Sequence, residues 1–228
     1  NFKTAIFCKG KPKMIKPHNY KPLISKPNLK HFKDIKKVRI YTLSIPDVKT
    51  CIGSTKKCRK LCMIKQGNFK RFKKGIQKGY EIRYKFSLQD DFVNRIDYEL
   101  KTRKVKKEKI KFLRIHVSGD IYSQSYKDKL FAIMKKNPDV SFLIYSKSLC
   151  YDFADYRSLK NVGFIQSYDT RFKSRLDNKY SIATIYKSKS DIPKNSIDCS
   201  DSDLLAFQTA RQNKPIALLL KGKIDITD

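Results

Sequence analysis

Residues 110–120 read IKFLRIHVSGD, a mostly apolar run that ends in the polar turn Ser118-Gly119-Asp120. An apolar run bounded by turn residues predicts a strand over Ile110–Val117 that is buried on both faces. Five other stretches have the same character and are predicted as strands: Val38–Leu43, Val140–Tyr145, Val162–Ser167, Ile182–Tyr186 and Ile216–Lys221.

Helical patterns separate most of these six strands. Helices are predicted at four places: Phe92–Leu100 after a capping box at Ser87 and Asp90, Leu130–Met134 after a cap at Ser123 or Ser125, Asp152–Leu159, and Asp201–Arg211. Apolar strands that alternate with helices predict an α/β fold with a parallel sheet covered on both faces. Six βα units are too few for a closed eight-fold barrel, so we expect an open or partial (βα)6 barrel.

Composition predicts a folded protein with an anionic partner. The chain has 228 residues, a formal net charge of +31 and 12% aromatic residues. That aromatic content indicates that most of the chain buries a core. A charge this large repels itself unless a polyanion neutralises it, so nucleic acid is the expected partner and an anionic membrane surface the second. An A+T-rich genome would also raise the Lys content, but it does not explain why acids are scarce.

The positive charge is concentrated towards the start of the chain. Residues 1–80 hold 23 Lys and Arg against only Asp34 and Asp47, a net charge of +21. Residues 1–37 are predicted to form a basic, irregular arm, because Pro recurs at every fifth residue and excludes helix and central strand. A mobile tail without fixed contacts is the alternative. The expected phosphate contacts are the Lys-Pro lysines and the basic residues among the cysteines: Lys11, Lys16, Lys21, Lys26, Lys56, Lys57, Arg59 and Lys60.

Three of the six cysteines lie close together, as Cys51, Cys58 and Cys62 in the spacing C-x6-C-x3-C. Their basic neighbours are expected to favour thiolates, the form that binds metal. A closed structural zinc site takes four ligands, whereas an iron–sulfur cluster held by three cysteines leaves one iron open. The pattern therefore favours an iron–sulfur cluster, with zinc and three unliganded thiols as the alternatives.

Polar residues also follow the later strands. Gly119 allows a close backbone approach or a positive φ, and Asp120 beside it is suited to an ammonium or a ribose hydroxyl. Lys147 and Asp169 follow the next two strands. Because the carboxyl ends of parallel strands share one edge, we expect these residues to converge on the cysteines. A plain turn without a ligand is the alternative for Ser118-Gly119-Asp120. His116 is predicted as a core residue, or as one that supports a site residue from behind, rather than as a general base.

Several stretches resemble the phage and plasmid family called gene product eighty-eight. They are Leu43-Ser44-Ile45-Pro46, Thr50-Cys51 with Cys58 and Cys62, Arg114–Ser123, and Asn137–Phe142 with Tyr145–Ser148. The resemblance covers roughly residues 38–222. It names the fold better than the function.

The layout also resembles, more distantly, the radical S-adenosylmethionine (SAM) enzymes, which have three cysteines after strand one of a partial barrel. That resemblance implies a radical-SAM-like α/β domain over residues 38–228 and a [4Fe-4S] cluster. The implied metal ligands are Cys51, Cys58 and Cys62; the implied cofactor contacts are Ser118, Gly119 and Asp120, with Lys147 and Asp169 lining the site. The cysteine spacing is longer than the usual C-x3-C-x2-C, so we expect cluster binding and leave radical catalysis open.

The leading hypothesis is therefore a radical-SAM-like iron–sulfur protein of a phage or mobile element that acts on or beside nucleic acid. The second is a non-enzymatic nucleic-acid-binding protein on a degenerate barrel, with zinc or no metal at the cysteines. No apolar run has the roughly 18 residues of a membrane span, and Asn1–Tyr20 lacks the apolar core of a secretory signal. We expect a cytoplasmic protein, in the host cytoplasm if phage-encoded. Substrate and oligomeric state are not predicted.

Overall fold

The computed structural model describes residues 22–25, 38–65, 69, 71–105 and 108–220. This part of the chain forms a seven-stranded sheet in which all strands are parallel, and a separate two-stranded hairpin. Helices cover both faces of the sheet. The predicted α/β class with an open parallel sheet is confirmed.

The elements follow one another in chain order. The strands are β1 (Ile40–Leu43), β2 (Lys104–Val105), β3 (Glu108–Lys109), β4 (Phe112–Ile115), β5 (Ser141–Ser146), β6 (Val162–Ser167), β7 (Ile182–Tyr186), β8 (Ile197–Asp198) and β9 (Ile216–Leu219). The α-helices are α1 (Lys56–Lys60), α2 (Lys73–Ser87), α3 (Phe92–Thr102), α4 (Gln124–Lys136), α5 (Ala154–Ser158) and α6 (Asp203–Arg211). Short 3-10 turns lie at Met63–Lys65, Lys173–Arg175 and Lys189–Asp191.

The order of strands across the sheet is β1-β4-β5-β6-β7-β9-β8. The first five lie side by side in chain order, as successive strands of a barrel do. The last two are exchanged, because β9 lies between β7 and β8, and the edge strands β1 and β8 do not pair. The register aligns Leu43 with Ile115 and Ile115 with Ile144, so the segments after β1, β4 and β5 leave the sheet at one edge.

Each face of the sheet has its own hydrophobic core, because neighbouring residues of a strand point to opposite faces. Leu113 and Ile115 pack with α3, α4 and α5, whereas Phe112 packs on the other face with Ala206 and Ala210 of α6. Both faces of β4 are therefore buried, as its mostly apolar sequence predicts.

Helix α2 is the largest difference from the sequence prediction. No helix is predicted there from the sequence, although Ile76, Tyr80 and Tyr84 recur at the spacing of one helical face. Only Tyr80 and Ser87 of α2 are buried, while Tyr84 and Phe86 are partly buried and pack against the core. Ser87 is consequently the last residue of α2 and not the cap of the next helix; α3 begins after Asp91, whose side chain makes no capping hydrogen bond.

Some elements of the structure are too short to be predicted from the sequence. The seventh strand, β8, has only two residues, as do both strands of the β2–β3 hairpin, and segments this short have no detectable pattern. Ser123 and Ser125 were the two residues proposed as the cap of α4, and Ser123 is the cap in the structure. Its side chain accepts a hydrogen bond from the Tyr126 backbone N at 3.1 Å. No helix within the described ranges is both long and apolar enough to cross a membrane.

Residues 22–25, which belong to the segment predicted as a basic arm, pack against the core instead. Leu23 and Ile24 are 1% and 2% exposed. The Ser25 backbone N donates to the Thr42 carbonyl at 2.8 Å, which forms an antiparallel bridge on β1. An apolar pair can bury itself here despite its Lys- and Pro-rich surroundings. The arm lysines assigned to phosphate contacts lie outside the described residues: Lys11, Lys16, Lys21 and Lys26.

Glu99 of α3 anchors this segment. Its buried carboxylate accepts hydrogen bonds from the backbone N of Leu23 at 2.8 Å and of Ile24 at 3.1 Å, and it pairs with Arg103 one turn later. Burial raises the pKa of Glu99, while the two amides and Arg103 act in the opposite direction. Because each donor has Glu99 as an acceptor, the buried charge is compensated only while the segment is in place.

We expect Glu99→Ala to lower the free energy of unfolding by about 2–4 kcal/mol, because it leaves two backbone N–H groups and Arg103 without this acceptor. Glu81→Ala is the matched control, since it removes an exposed pair with Lys49 and should cost about 0–1 kcal/mol. Urea unfolding followed by circular dichroism measures both losses. Equal losses would contradict the anchoring role.

Candidate functional site

The cysteine loop, defined as residues 44–62, starts at the end of β1 and crosses the carboxyl ends of three further strands. The Ile45 backbone N donates to the Ser118 carbonyl after β4 at 3.2 Å. The Arg171 backbone N, after β6, donates to the Gly53 carbonyl at 3.0 Å, and Ser54 forms an antiparallel bridge with Thr170. The loop is therefore held on the edge of the sheet at both of these strands.

Gly53 brings the loop into direct contact with the segment after β5. A Cβ atom at Gly53 would lie 1.9 Å from the carbonyl oxygen of Lys147, so there is no room for a side chain. The Thr170 hydroxyl donates to the same carbonyl oxygen at 2.6 Å. This carbonyl is thus shared between the loop and the end of β6.

Helix α1 positions the second and third cysteines of the loop. Thr55 caps the helix: its hydroxyl oxygen accepts from the Cys58 backbone N at 3.0 Å and its hydroxyl donates to Oδ1 of Asp169 at 2.8 Å. Asp169 follows β6, so one threonine ties the predicted metal ligand Cys58 to the predicted site residue Asp169. The interaction is a standard N-cap with a second partner.

The three thiols share one electrostatic environment. Burial, helped by the charge of Asp120, raises the pKa of the Cys51 thiol to about 12. Burial is also the main reason why the pKa values of Cys58 and Cys62 are raised, and Lys147 acts in the opposite direction on both. Among the charges that act on these thiols are those of predicted site residues: Asp120 acts on Cys51 and Cys58, Lys147 acts on Cys58 and Cys62, and Asp169 acts on Cys58.

The expectation that basic neighbours favour thiolates is wrong for this chain without a bound metal. Lys56 and Lys57 are exposed to solvent, where their charges are screened, whereas the cysteines are half-buried. Desolvation therefore dominates, and the thiols are protonated at neutral pH. Arg59 is directed back to the loop, since its Nε donates to Ser54 Oγ at 2.9 Å.

The donor set matches a three-cysteine metal centre in kind. Within the described ranges, however, no group of three His, Cys, Asp or Glu side chains is arranged to hold a metal ion.

The hydroxyl oxygens of Ser118 and Ser148 are buried and have no hydrogen-bond partner. They follow β4 and β5 at the same edge as the cysteine loop, and an unsatisfied buried hydroxyl costs about 1–3 kcal/mol. Both are therefore suited to contact a bound group.

Asp120 is occupied within the protein. It is 3% exposed; its Oδ1 accepts from the Ile121 backbone N at 2.7 Å and from Ser146 Oγ at 2.8 Å, and its Oδ2 accepts from the Lys147 backbone N at 2.8 Å. Burial raises the pKa of this carboxyl. The side chain thus joins the turn after β4 to the end of β5, which makes it a positioning residue for Ser118 and Lys147.

Two residues that come shortly before Asp120, His116 and Gly119, have positive φ angles. Gly119 has a φ of +81°, and a Cβ there would lie 2.5 Å from the Ile45 side chain, so only glycine fits. His116 has a φ of 66°, its Nε2 lies 3.0 Å from the Tyr126 hydroxyl, and burial lowers its pKa to about 3. The prediction that His116 is a core residue is confirmed.

Sequence reasoning did not identify Gly53 or Thr55. Thr55 could have been found, because a threonine directly before a short helix is a typical N-cap. Gly53 could not, because the atom that excludes its side chain belongs to Lys147, which is distant in the sequence.

Comparison with protein families gives one result. The family model described as Gene product 88 matches residues 6–227, which include the cysteine loop and all strands of the sheet. No curated protein and no solved structure matches the chain.

We expect Gly53→Ala to destabilise the protein by about 1–3 kcal/mol, because the new methyl group overlaps the Lys147 carbonyl and lifts the cysteine loop. Gly75→Ala in α2 is the matched control: nothing lies within 4 Å of its Cβ position, so stability should rise by about 0.5–1 kcal/mol. Thermal unfolding compares them. A neutral Gly53→Ala variant would contradict the close contact.

His116 predicts a specific loss of stability in acid. The pKa of His116 is about 3 in the folded protein and about 6.5 in the unfolded chain. As pH falls below 6.5, the imidazole is therefore protonated in the unfolded chain before it is protonated in the folded one. Stability is then lost at about 1.4 kcal/mol per pH unit down to the folded pKa. His116→Asn, which tolerates positive φ, should lose about 2 kcal/mol less between about pH 6.5 and about pH 5. Urea unfolding at the two pH values tests this; parallel losses would rule it out.

Proposed function

The chain belongs to the gene product 88 family, and from that premise we propose that it is a radical-SAM-like iron–sulfur protein of a phage or mobile element that acts on or beside nucleic acid. Cys51, Cys58 and Cys62 would hold a [4Fe-4S] cluster, and the turn after β4 would contact S-adenosylmethionine. The bound cluster and cofactor supply one-electron reduction and radical chemistry.

The observation that carries this proposal is the convergence of three free thiols on the carboxyl edge of an open parallel sheet. The thiols influence one another's pKa values and lie within reach of Lys147 and Asp169. This edge is where α/β proteins bind ligands. Three thiols there, next to two buried hydroxyls without partners, give a donor set for a metal centre and a second ligand.

The chain's own residues have separable roles in this proposal. Gly53 and Thr55 fix the cysteine loop and α1 on the sheet. Asp120 holds the turn after β4 against β5, so that the hydroxyls of Ser118 and Ser148 remain available to the cofactor. Because the thiols have raised pKa values, metal binding must release protons, and loading should improve as pH rises.

A second candidate is a nucleic-acid-binding protein that is not an enzyme, with zinc or no metal at the cysteines. Within the described residues no group of three His, Cys, Asp or Glu side chains is arranged to hold a metal ion, which favours the form of this candidate without metal. It shares the nucleic-acid partner, for which the exposed basic side chains of α1 provide contacts: Lys56, Lys57, Arg59 and Lys60. This candidate predicts salt-sensitive binding without any turnover of S-adenosylmethionine.

Anaerobic reconstitution with iron and sulfide distinguishes the two candidates. We expect a brown protein that absorbs near ~400 nm, and we expect Cys58→Ala to lose most of this absorbance because one of three cluster ligands is removed. Cys199→Ala is the matched control, since Cys199 is buried in the core on the α6 side and should leave the spectrum unchanged.

Metal analysis of the same samples shows which metal the protein holds and so identifies the result that would contradict the cluster. A colourless protein that holds one zinc per chain would overturn the cluster and support the second candidate. Equal loss of absorbance in the Cys58 and Cys199 variants would show that the colour is not bound at the cysteine loop.

A further inference from the structure

A groove of about 690 Å³ lies between the cysteine loop, the 3-10 turn Met63–Lys65 and the first half of α2. The groove is lined by none of the site residues that were predicted from the sequence. Its charged lining residues are four lysines and two acids: Lys49, Lys65, Lys73, Lys78, Asp47 and Glu81. The groove therefore carries a net positive charge.

Most of the positive charge in the groove is not neutralised locally. Lys49 is engaged, since its Nζ lies 2.6 Å from the Glu81 carboxylate and 4.0 Å from the centre of the Tyr84 ring. The side chains of Lys65, Lys73 and Lys78 are exposed, and none forms an ion pair with any acid in the part of the chain that the structure describes. Three ammonium groups that share one concave surface attract a chain of phosphates.

An exposed aromatic ring lies at the start of the helix that carries Lys73 and Lys78, although it does not itself line the groove. Phe72 directly precedes Lys73 at the start of α2 and is 58% exposed. The guanidinium of Arg71 lies 5.5 Å from the centre of its ring. An aromatic ring among basic side chains is the combination with which proteins hold single-stranded nucleic acid, because the ring stacks on a base while the cations contact the backbone.

The exposed ring favours a single strand over a duplex. The bases of a duplex are paired and stacked on one another, so they are not free to stack on Phe72, whereas an unpaired base is.

The groove also adjoins the cysteine loop. Asp47 and Lys65 both line it, and both act on the pKa of the Cys62 thiol, in opposite directions. A strand lying in the groove therefore passes beside the third cysteine.

We propose that this groove binds single-stranded nucleic acid, with Lys65, Lys73 and Lys78 on its phosphates and Phe72 stacked on a base. The proposal deepens the proposed function and rests on its nucleic-acid partner. It adds a defined surface next to the cysteine loop and a preference for single strands.

Fluorescence anisotropy of labelled 12-nucleotide single strands, as DNA and as RNA, tests the lysines over a range of salt concentrations. The variant Lys65→Ala/Lys73→Ala/Lys78→Ala should reduce the slope of log K against log salt by about 2, because each phosphate contact on a single strand contributes about 0.7. The matched control is Lys135→Ala/Lys136→Ala/Lys160→Ala. These exposed lysines lie at the opposite edge of the sheet, before β5 and β6, and their loss should leave the slope nearly unchanged.

Stacking has its own readout, because the protein contains no Trp. In the Phe72→Trp variant the new ring should stack on a base, so its emission should be quenched when a single strand is added. Leu205→Trp, on the exposed side of α6, should show no quenching. Phe72→Ala should weaken binding by about 5-fold to 150-fold.

The outcomes separate this proposal from the proposed function. If the wild type binds single strands but the groove triple variant keeps the full salt slope, the groove assignment is overturned while the nucleic-acid function survives. Tighter binding of a 12-base-pair duplex than of either single strand would overturn the preference for single strands. If the wild type binds no nucleic acid at all, both proposals fail.

Discussion

The buried carboxylate of Asp120 is the interaction on which the candidate site depends. It takes hydrogen bonds from the turn that follows β4 and from Ser146 and Lys147 at the end of β5. Parallel strands bring these two ends to one edge, but only a compensated charge holds them in a fixed relation. The cysteine loop then rests on this frame through Gly53. The turn after β4, which carries Ser118, and the end of β5, which leads to Lys147, are thus joined through one acid that does not itself face solvent.

Much of the sheet could be predicted from the sequence, because a strand buried on both faces is apolar at almost every position. β6 and β7 have the bounds that their sequences predict, and the other apolar strands differ only by a few residues at their ends. Helix α2 was not predicted, because its few apolar residues lie among many basic ones and only two of its residues are buried. Residues 22–25 could not be placed either, because Glu99, which holds them, is far away in the chain.

The candidate site, like the fold, could be predicted from the sequence only in part. That Cys51, Asp120 and Lys147 would converge follows from strand direction alone, and the structure brings them together. The protonation of the thiols could not be read from their neighbours, because it depends on burial more than on the adjacent lysines. Nor does the sequence show that Asp120 accepts hydrogen bonds from three donors, since two of these donors, Ser146 and Lys147, lie at the end of another strand, β5.

The two edges of the sheet also bear on how the protein behaves at high concentration. An exposed edge strand offers unpaired backbone groups that can pair with another chain and start aggregation. In the described structure, Ser25 covers part of β1, while β8 at the other edge has only two residues. The segment that Glu99 anchors therefore occupies part of the open edge of β1, where a strand of another chain could otherwise add.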